Sequence, residues 1–134
     1  MIRKPKKSKK LSYYKKKAWA EFSRYIRLKY SSDNGMCRCI TCGVRKNYKE
    51  LHAGHFIAGR NNSILFEERC VHPQCYACNI CRHGHQLEYY FFMEQKYGRE
   101  VIDELRVLAK KTVKYSIQDF IEIREKYKKL ADDL

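Results

Sequence analysis

Residues 39–79 read CITCGVRKNYKELHAGHFIAGRNNSILFEERCVHPQCYACN, and the two ends of this stretch decide how the chain is organised. Cys39 with Cys42 opens it and Cys75 with Cys78 closes it, each pair in Cys-x-x-Cys spacing. One such knuckle supplies two corners of a tetrahedron, so two knuckles complete a four-thiolate shell around Zn²⁺. A complete shell keeps no position open for water. The spacing therefore predicts a structural zinc that staples two segments distant in sequence. Gly43 directly after Cys42 suits the tight turn around the sulfurs. Cys37, Cys70 and Cys81 leave a ligand exchange open, since Cys37 forms a C-x-C with Cys39 and Cys81 extends the second knuckle. The seven cysteines, an odd number, follow an N-terminus with no apolar stretch of the secretory kind. A reducing cytosol is expected, where metal ligation explains cysteines better than disulfides do.

Outward from this centre the pattern turns helical. Residues 1–11 are a basic, Pro-containing segment without periodicity, expected to be a disordered tail. Over 12–31, Ala18, Phe22, Tyr25 and Ile26 recur at three- and four-residue spacing among Lys and Arg, which predicts an amphipathic helix with one basic side. Ser31 to Gly35 supply turn formers that close it. Within 36–86 two short strands, Leu51–Phe56 and Arg69–His72, are expected to form a hairpin-like unit, with a helix beginning near Tyr76. Residues 87–131 read as helices broken at Gly98 and restarted at Ser116, where Asp119 completes a capping-box pattern. Tyr89, Tyr90, Phe91 and Phe92 read as helix core. The expected fold is one α+β domain over 12–134, mostly helical, with a small zinc-stapled core flanked by N- and C-terminal helices.

Charge narrows the partner. Lys and Arg total 29 against 15 Asp and Glu, a formal net charge of +14. That excess calls for a polyanion. No long apolar run and no basic helix with a continuous apolar face is visible, so nucleic acid is expected and a membrane is not. Lys15, Lys16, Lys17 and Arg24 on the basic helix are the expected DNA contacts.

Several motifs in fixed order then carry a resemblance. They are S-Y at Ser12 and Tyr13, C-I-T-C-G at Cys39–Gly43, A-G-H-F at Ala53–Phe56, F-E-E-R at Phe66–Arg69, and V-H-P-Q-C-Y-A-C-N at Val71–Asn79. From Ser12 to Leu130 the chain resembles the NinG (Rap) recombination endonucleases of lambdoid phages, HNH-type enzymes functionally similar to endonuclease VII. The resemblance implies a ββα-metal core and a structural zinc. It also implies cleavage of branched DNA, such as Holliday junctions or D-loops in phage recombination, with Mg²⁺ or Mn²⁺, in the cytoplasm of a bacterial host. A homodimer would let two sites cut opposing strands. Three departures stand out. Cys70 occupies the place of the middle Asn of HNH motifs, His52 the place of an Asp, and R-H-G-H at Arg82–His85 replaces S-G-N.

Phosphodiester hydrolysis needs a base for water, a cation for the phosphoryl oxygens and help for the leaving oxygen. His55, in A-G-H-F between the knuckles, is the expected general base, since an imidazole is largely neutral at cellular pH. Asn79, following Cys78, is the expected amide ligand of the catalytic ion, with helix capping as the plainer role. His83, one helical turn beyond, and His52 are further candidate ligands. Arg60 is expected to hold the scissile phosphate or to sit in a plain surface loop, and His72 to bond a phosphate or to pack. Two rival readings are a non-catalytic zinc-containing DNA-binding module and a sequence-specific HNH enzyme of the homing or restriction type. The first needs neither His55 nor Asn79; the second keeps the chemistry and changes the substrate.

Overall fold

The structure, a computed structural model, describes residues 9–134. The expected tail therefore lies outside the described residues up to position 8, and Leu11 already belongs to a helix. That helix, α1 (Leu11–Lys29), buries Ala18, Phe22 and Ile26 on one stripe. It packs along α5 (Ile117–Asp132), the last helix, which turns Phe120, Tyr127 and Ala131 inward. Phe22 meets Tyr127 edge to face at 4.8 Å between ring centroids. Such aromatic contacts join the two ends of the chain into one core by burying large apolar area. Ser116 caps α5: its hydroxyl accepts from the Asp119 amide, and the Asp119 carboxylate accepts from the Ser116 amide.

Between these helices lie two antiparallel hairpins. The first pairs β1 (Met36–Arg38) with β2 (Arg45–Asn47), and its turn carries Cys39, Cys42 and Gly43. Gly43 sits at φ 81°, a left-handed conformation that glycine adopts without strain. Sequence patterning misses this hairpin because Arg45 and Lys46 are exposed, so β2 has no apolar alternation. The second hairpin pairs β3 (His52–His55) with β4 (Val71–Gln74), in register from His52 opposite Gln74 to His55 opposite Val71. The expected strand at Arg69–His72 is thus displaced. A tight turn over Glu68–Cys70, capped by the Glu67 side chain, occupies its first half. A short helix, α2 (Asn62–Leu65), lies within the connection between the two strands.

After β4 the chain makes one wide turn over Ala77–Cys81, in which the Arg82 amide reaches back to the Ala77 carbonyl at 2.9 Å. The helix expected from Tyr76 does not continue past it. His83, Gly84 and His85 all take positive φ, which breaks the backbone before α3 (Gln86–Tyr97) begins. Gly98 separates α3 from α4 (Arg99–Ala109). Tyr89 and Met93 of α3, with Ile102 and Leu105 of α4, are buried against β3 and α1. The molecule is a mixed α+β fold, mostly helical, and among the described residues no helix is long and apolar enough to cross a membrane.

Candidate functional site

Two clusters of chemistry-bearing side chains adjoin the β3–β4 unit. The first is the meeting of the two knuckles. The sulfurs of Cys39, Cys42, Cys75 and Cys78 all fall within 4.8 Å of one another, with Cys42 and Cys75 at 3.7 Å. Tetrahedral Zn–S bonds of about 2.3 Å require sulfur separations close to this, so the four cysteines are placed to hold a metal such as zinc. Burial opposes ionisation of Cys39, but hydrogen bonds from Thr41 and from nearby backbone amides outweigh it and bring the thiol down to about 6. Cys42 goes the other way, to about 12, as burial and the neighbouring sulfurs disfavour a second charge. Four thiolates this close need a cation among them. Cys37 is buried beside the cluster but outside the converging four, Cys70 is buried in the main core and Cys81 is exposed, so the sulfurs that converge are those of the two Cys-x-x-Cys pairs.

The second cluster lines a cleft of about 240 Å³ that brings together His55, Asn79, His83, Arg60 and Trp19. His55 Nε2 lies 3.2 Å from the Leu65 carbonyl. A carbonyl only accepts, so Nε2 carries the proton and the lone pair is on Nδ1. Burial pushes the imidazole down to about 4, helped by the Arg60 charge and opposed by the Leu65 bond. It is neutral at cellular pH. Trp19, from α1, stacks on the His55 ring at 5.2 Å with planes 19° apart, and the Arg60 guanidinium sits 4.4 Å from the Trp19 centroid. Arg60 holds φ 50°, an unusual left-handed conformation for a residue with a side chain. Trp19 was not among the sequence candidates; its position, one turn beyond Lys15 on α1, was the available signal.

Asn79 gives its amide hydrogen to His52 Nδ1, with the two nitrogens 3.1 Å apart. That bond occupies the His52 lone pair and orients the Asn79 amide, so His52 stands behind Asn79 as its holder. The close approach depends on Gly54. A Cβ there would run into the Gln74 side chain and come within 3.1 Å of Asn79 Oδ1. Gln74, fully buried, links the two clusters by donating to Thr41 Oγ1 in the first knuckle and to the Gly84 carbonyl beside the cleft. His83 does reach the cleft, but from the left-handed loop after the wide turn and not from a shared helix face. Among the described residues, no Asp or Glu lines the cleft. Its candidate ligands are the amides of Asn79 and Gln86 and the imidazoles of His55 and His83, a set that suits Mn²⁺ or a later transition ion better than Mg²⁺, which is usually held through carboxylates.

Arg24 is corrected as a DNA contact, and His72 takes the packing role of the two expected for it. His72 is fully buried, ringed by Tyr30, Tyr89, Phe92 and Tyr97, and unreachable by a phosphate. Tyr89 donates to the Gly54 carbonyl at 2.7 Å, so it accepts from His72 Nδ1–H at 3.0 Å, and His72 Nε2 accepts from Tyr97 at 2.8 Å. Burial and the Lys96 and Lys29 charges hold this imidazole at about 3. Its task is to fix the strand that carries His55. Arg24 is spent on Glu21 and Asp132, at 2.9 and 2.7 Å, and ties α1 to α5. Lys15 donates to Asn62 Oδ1 at 3.2 Å, while Lys16 and Lys17 are exposed on α1.

Comparison with known proteins follows the same lines. The family described as "NinG: Bacteriophage Lambda NinG protein" matches residues 1–134. The chain is similar to "Protein ninG" of Escherichia phage 933W, 27% identical over 124 residues, which cover 92% of this chain and 59% of that protein. It is likewise 27% identical over 124 residues to "Protein ninG" of Escherichia phage lambda, covering 92% and 58%, and 26% identical to that of Salmonella phage P22. The chain thus spans about three fifths of the length of these curated relatives. No solved structure matches it.

Proposed function

We propose, for a chain that belongs to the NinG family of phage proteins, that it is a divalent-metal-dependent DNA endonuclease of the HNH type. In this reading β3, β4 and the wide turn after them serve as the ββα-metal unit. The observation that carries it is the state of His55: a neutral imidazole whose Nε2 hydrogen is committed to the Leu65 carbonyl, with Nδ1 left to take a proton, in a cleft shared with Asn79, His83 and Arg60. A general base must be unprotonated and held in one tautomer, and both conditions are met before substrate arrives.

The remaining roles follow from donor chemistry. Arg60 pairs with the scissile phosphate in bidentate fashion, and its stacking on Trp19 keeps the base and the phosphate on one platform. Asn79 Oδ1 and His83 would hold the divalent ion, with phosphate oxygens completing its shell. When bound, that ion stabilises charge on the phosphoryl oxygens and on the leaving oxygen. Zinc in the four-cysteine cluster is a staple, without a step in the reaction. Lys15, Lys16 and Lys17 lead from α1 toward the cleft and neutralise backbone phosphates. Branched DNA in phage recombination, in the bacterial cytoplasm, is the substrate we assign, with a homodimer cutting paired strands.

That no carboxylate among the described residues lines the cleft favours one rival, a zinc-containing module that binds DNA without cutting it. Incubating the protein with a labelled four-way junction and a matched linear duplex, with Mn²⁺, Mg²⁺ or neither, separates the two. The endonuclease reading expects Mn²⁺-dependent cleavage, strongest on the junction. His55→Ala should lower turnover by about 10²- to 10⁴-fold with zinc content and DNA affinity retained. No cleavage with either ion would leave only the binding module, whereas wild-type rates from His55→Ala would leave a nuclease whose base is not His55.

A further inference from the structure

Beside the His55 cleft lies a larger cavity of about 570 Å³ that the proposed chemistry does not use. Ala58 and Gln86 line both, forming a sill between them. The floor is apolar: Phe56 and Ile102 are nearly fully buried, and Tyr90 forms part of the wall. Leu87 also lines the cavity, a large apolar side chain with 65% of its surface exposed. Around the rim α4 sets Arg99, Asp103 and Arg106, none of which forms an ion pair with another described residue.

We infer that this cavity is a nucleobase site, which receives an unstacked nucleoside next to the scissile phosphate and favours bases that bear an exocyclic amine over thymine. The inference rests on the endonuclease reading in one respect, the placement of a phosphate at Arg60. A strand seated there passes over the Ala58–Gln86 sill, and its neighbouring nucleoside then faces the apolar floor. Within a duplex the bases are stacked inward, so only an unpaired or extruded base reaches it. A base is apolar on its faces and polar on its edges. The cavity matches that division, with an apolar floor and wall for the faces and charged groups only at the rim. Arg99 and Arg106 meet the flanking phosphates. Asp103 repels phosphate but accepts from an amino group, as acidic side chains do from cytosine N4. A second copy of the chain fits less well. Its own Arg99 and Arg106 would face these across the contact, on a molecule that already carries a formal charge of +14.

The test uses the His55→Ala variant of the 134-residue chain, loaded with zinc, and short duplexes that carry one fluorescent aminopurine either unpaired or fully paired. Binding should change the emission of the unpaired base alone. Leu87→Asp alters an exposed side chain and should leave the fold intact. It should abolish that change and weaken binding to the unpaired-base duplex by about 5- to 100-fold, while the fully paired duplex binds as before. Asp103→Asn should erase a preference for duplexes with an unpaired cytosine over those with an unpaired thymine. An emission change that survives Leu87→Asp, or no difference between paired and unpaired probes, overturns the inference. So does a wild-type dimer in sedimentation that Leu87→Asp converts to monomer, since the cavity would then be a self-association face. Cleavage of the same duplexes by the wild-type chain keeps the two proposals apart. Cleavage without an emission change sinks the base site alone; an emission change without cleavage supports the base site and sinks the endonuclease.

Discussion

The four-cysteine cluster and the His55 cleft flank the same pair of strands, yet they are built on opposite terms. The cluster is chemically uniform and closed: four sulfurs within 4.8 Å, drawn from two turns far apart in sequence. The cleft is mixed and open, and combines two imidazoles, two amides, a guanidinium and an indole from α1, β3, α3 and the loops. Uniform, saturating ligands serve to hold. Mixed and unsaturated ones leave donors and acceptors free, which is what the endonuclease proposed above requires. Gln74 is the rigid link between them, one amide donating to both sides.

If the cluster is the staple, the largest effect should come from breaking it. Cys75→Ser or a strong chelator should unfold residues 36–85 and take the cleft with them, since structural zinc contributes its binding energy to folding. Zinc analysis with circular dichroism and limited proteolysis reads this directly. Unchanged metal content and melting temperature in Cys75→Ser would reverse the comparison.

Acid should weaken the histidine side by a smaller amount. An unfolded His titrates near 6.5, whereas His55 and His72 in the fold titrate at about 4 and about 3. Between these values the unfolded chain binds more protons, so stability rises with pH across the window and falls as pH drops through it. Each histidine contributes about 1.4 kcal/mol per pH unit. Urea unfolding of the wild type and His55→Gln from pH 6.5 to 4.5 should give a shallower pH slope for the variant, by one histidine's share. Equal slopes would mean that His55 is not buried neutral. Because both proteins share the cysteine cluster, acid release of zinc affects them alike.

The smallest change concerns how the cleft strand is positioned. Tyr89→Phe leaves the His72 Nδ1–H and the Gly54 carbonyl without their shared partner, which should cost about 1–3 kcal/mol of stability. Zinc content should not move. A variant as stable as wild type would show that the Tyr97–His72–Tyr89 chain does not brace β3.

Much of this arrangement was legible in the chain itself. Paired x₂ spacings name their own ligands, because a knuckle is a local structure and its two sulfurs converge wherever the turn forms. The amphipathic stripe of α1 and the cap of α5 are likewise local, and both stand where the pattern puts them. The fates of the histidines were not legible. His55, His72, His52 and His83 are four imidazoles of the same intrinsic chemistry. One became a neutral group with a free lone pair against Trp19, one a buried link between tyrosines, one a holder for Asn79, and one a loop residue at positive φ. Burial and hydrogen-bond partners decide what an imidazole does, and here both come from residues tens of positions away, so only the tertiary structure could make the assignment.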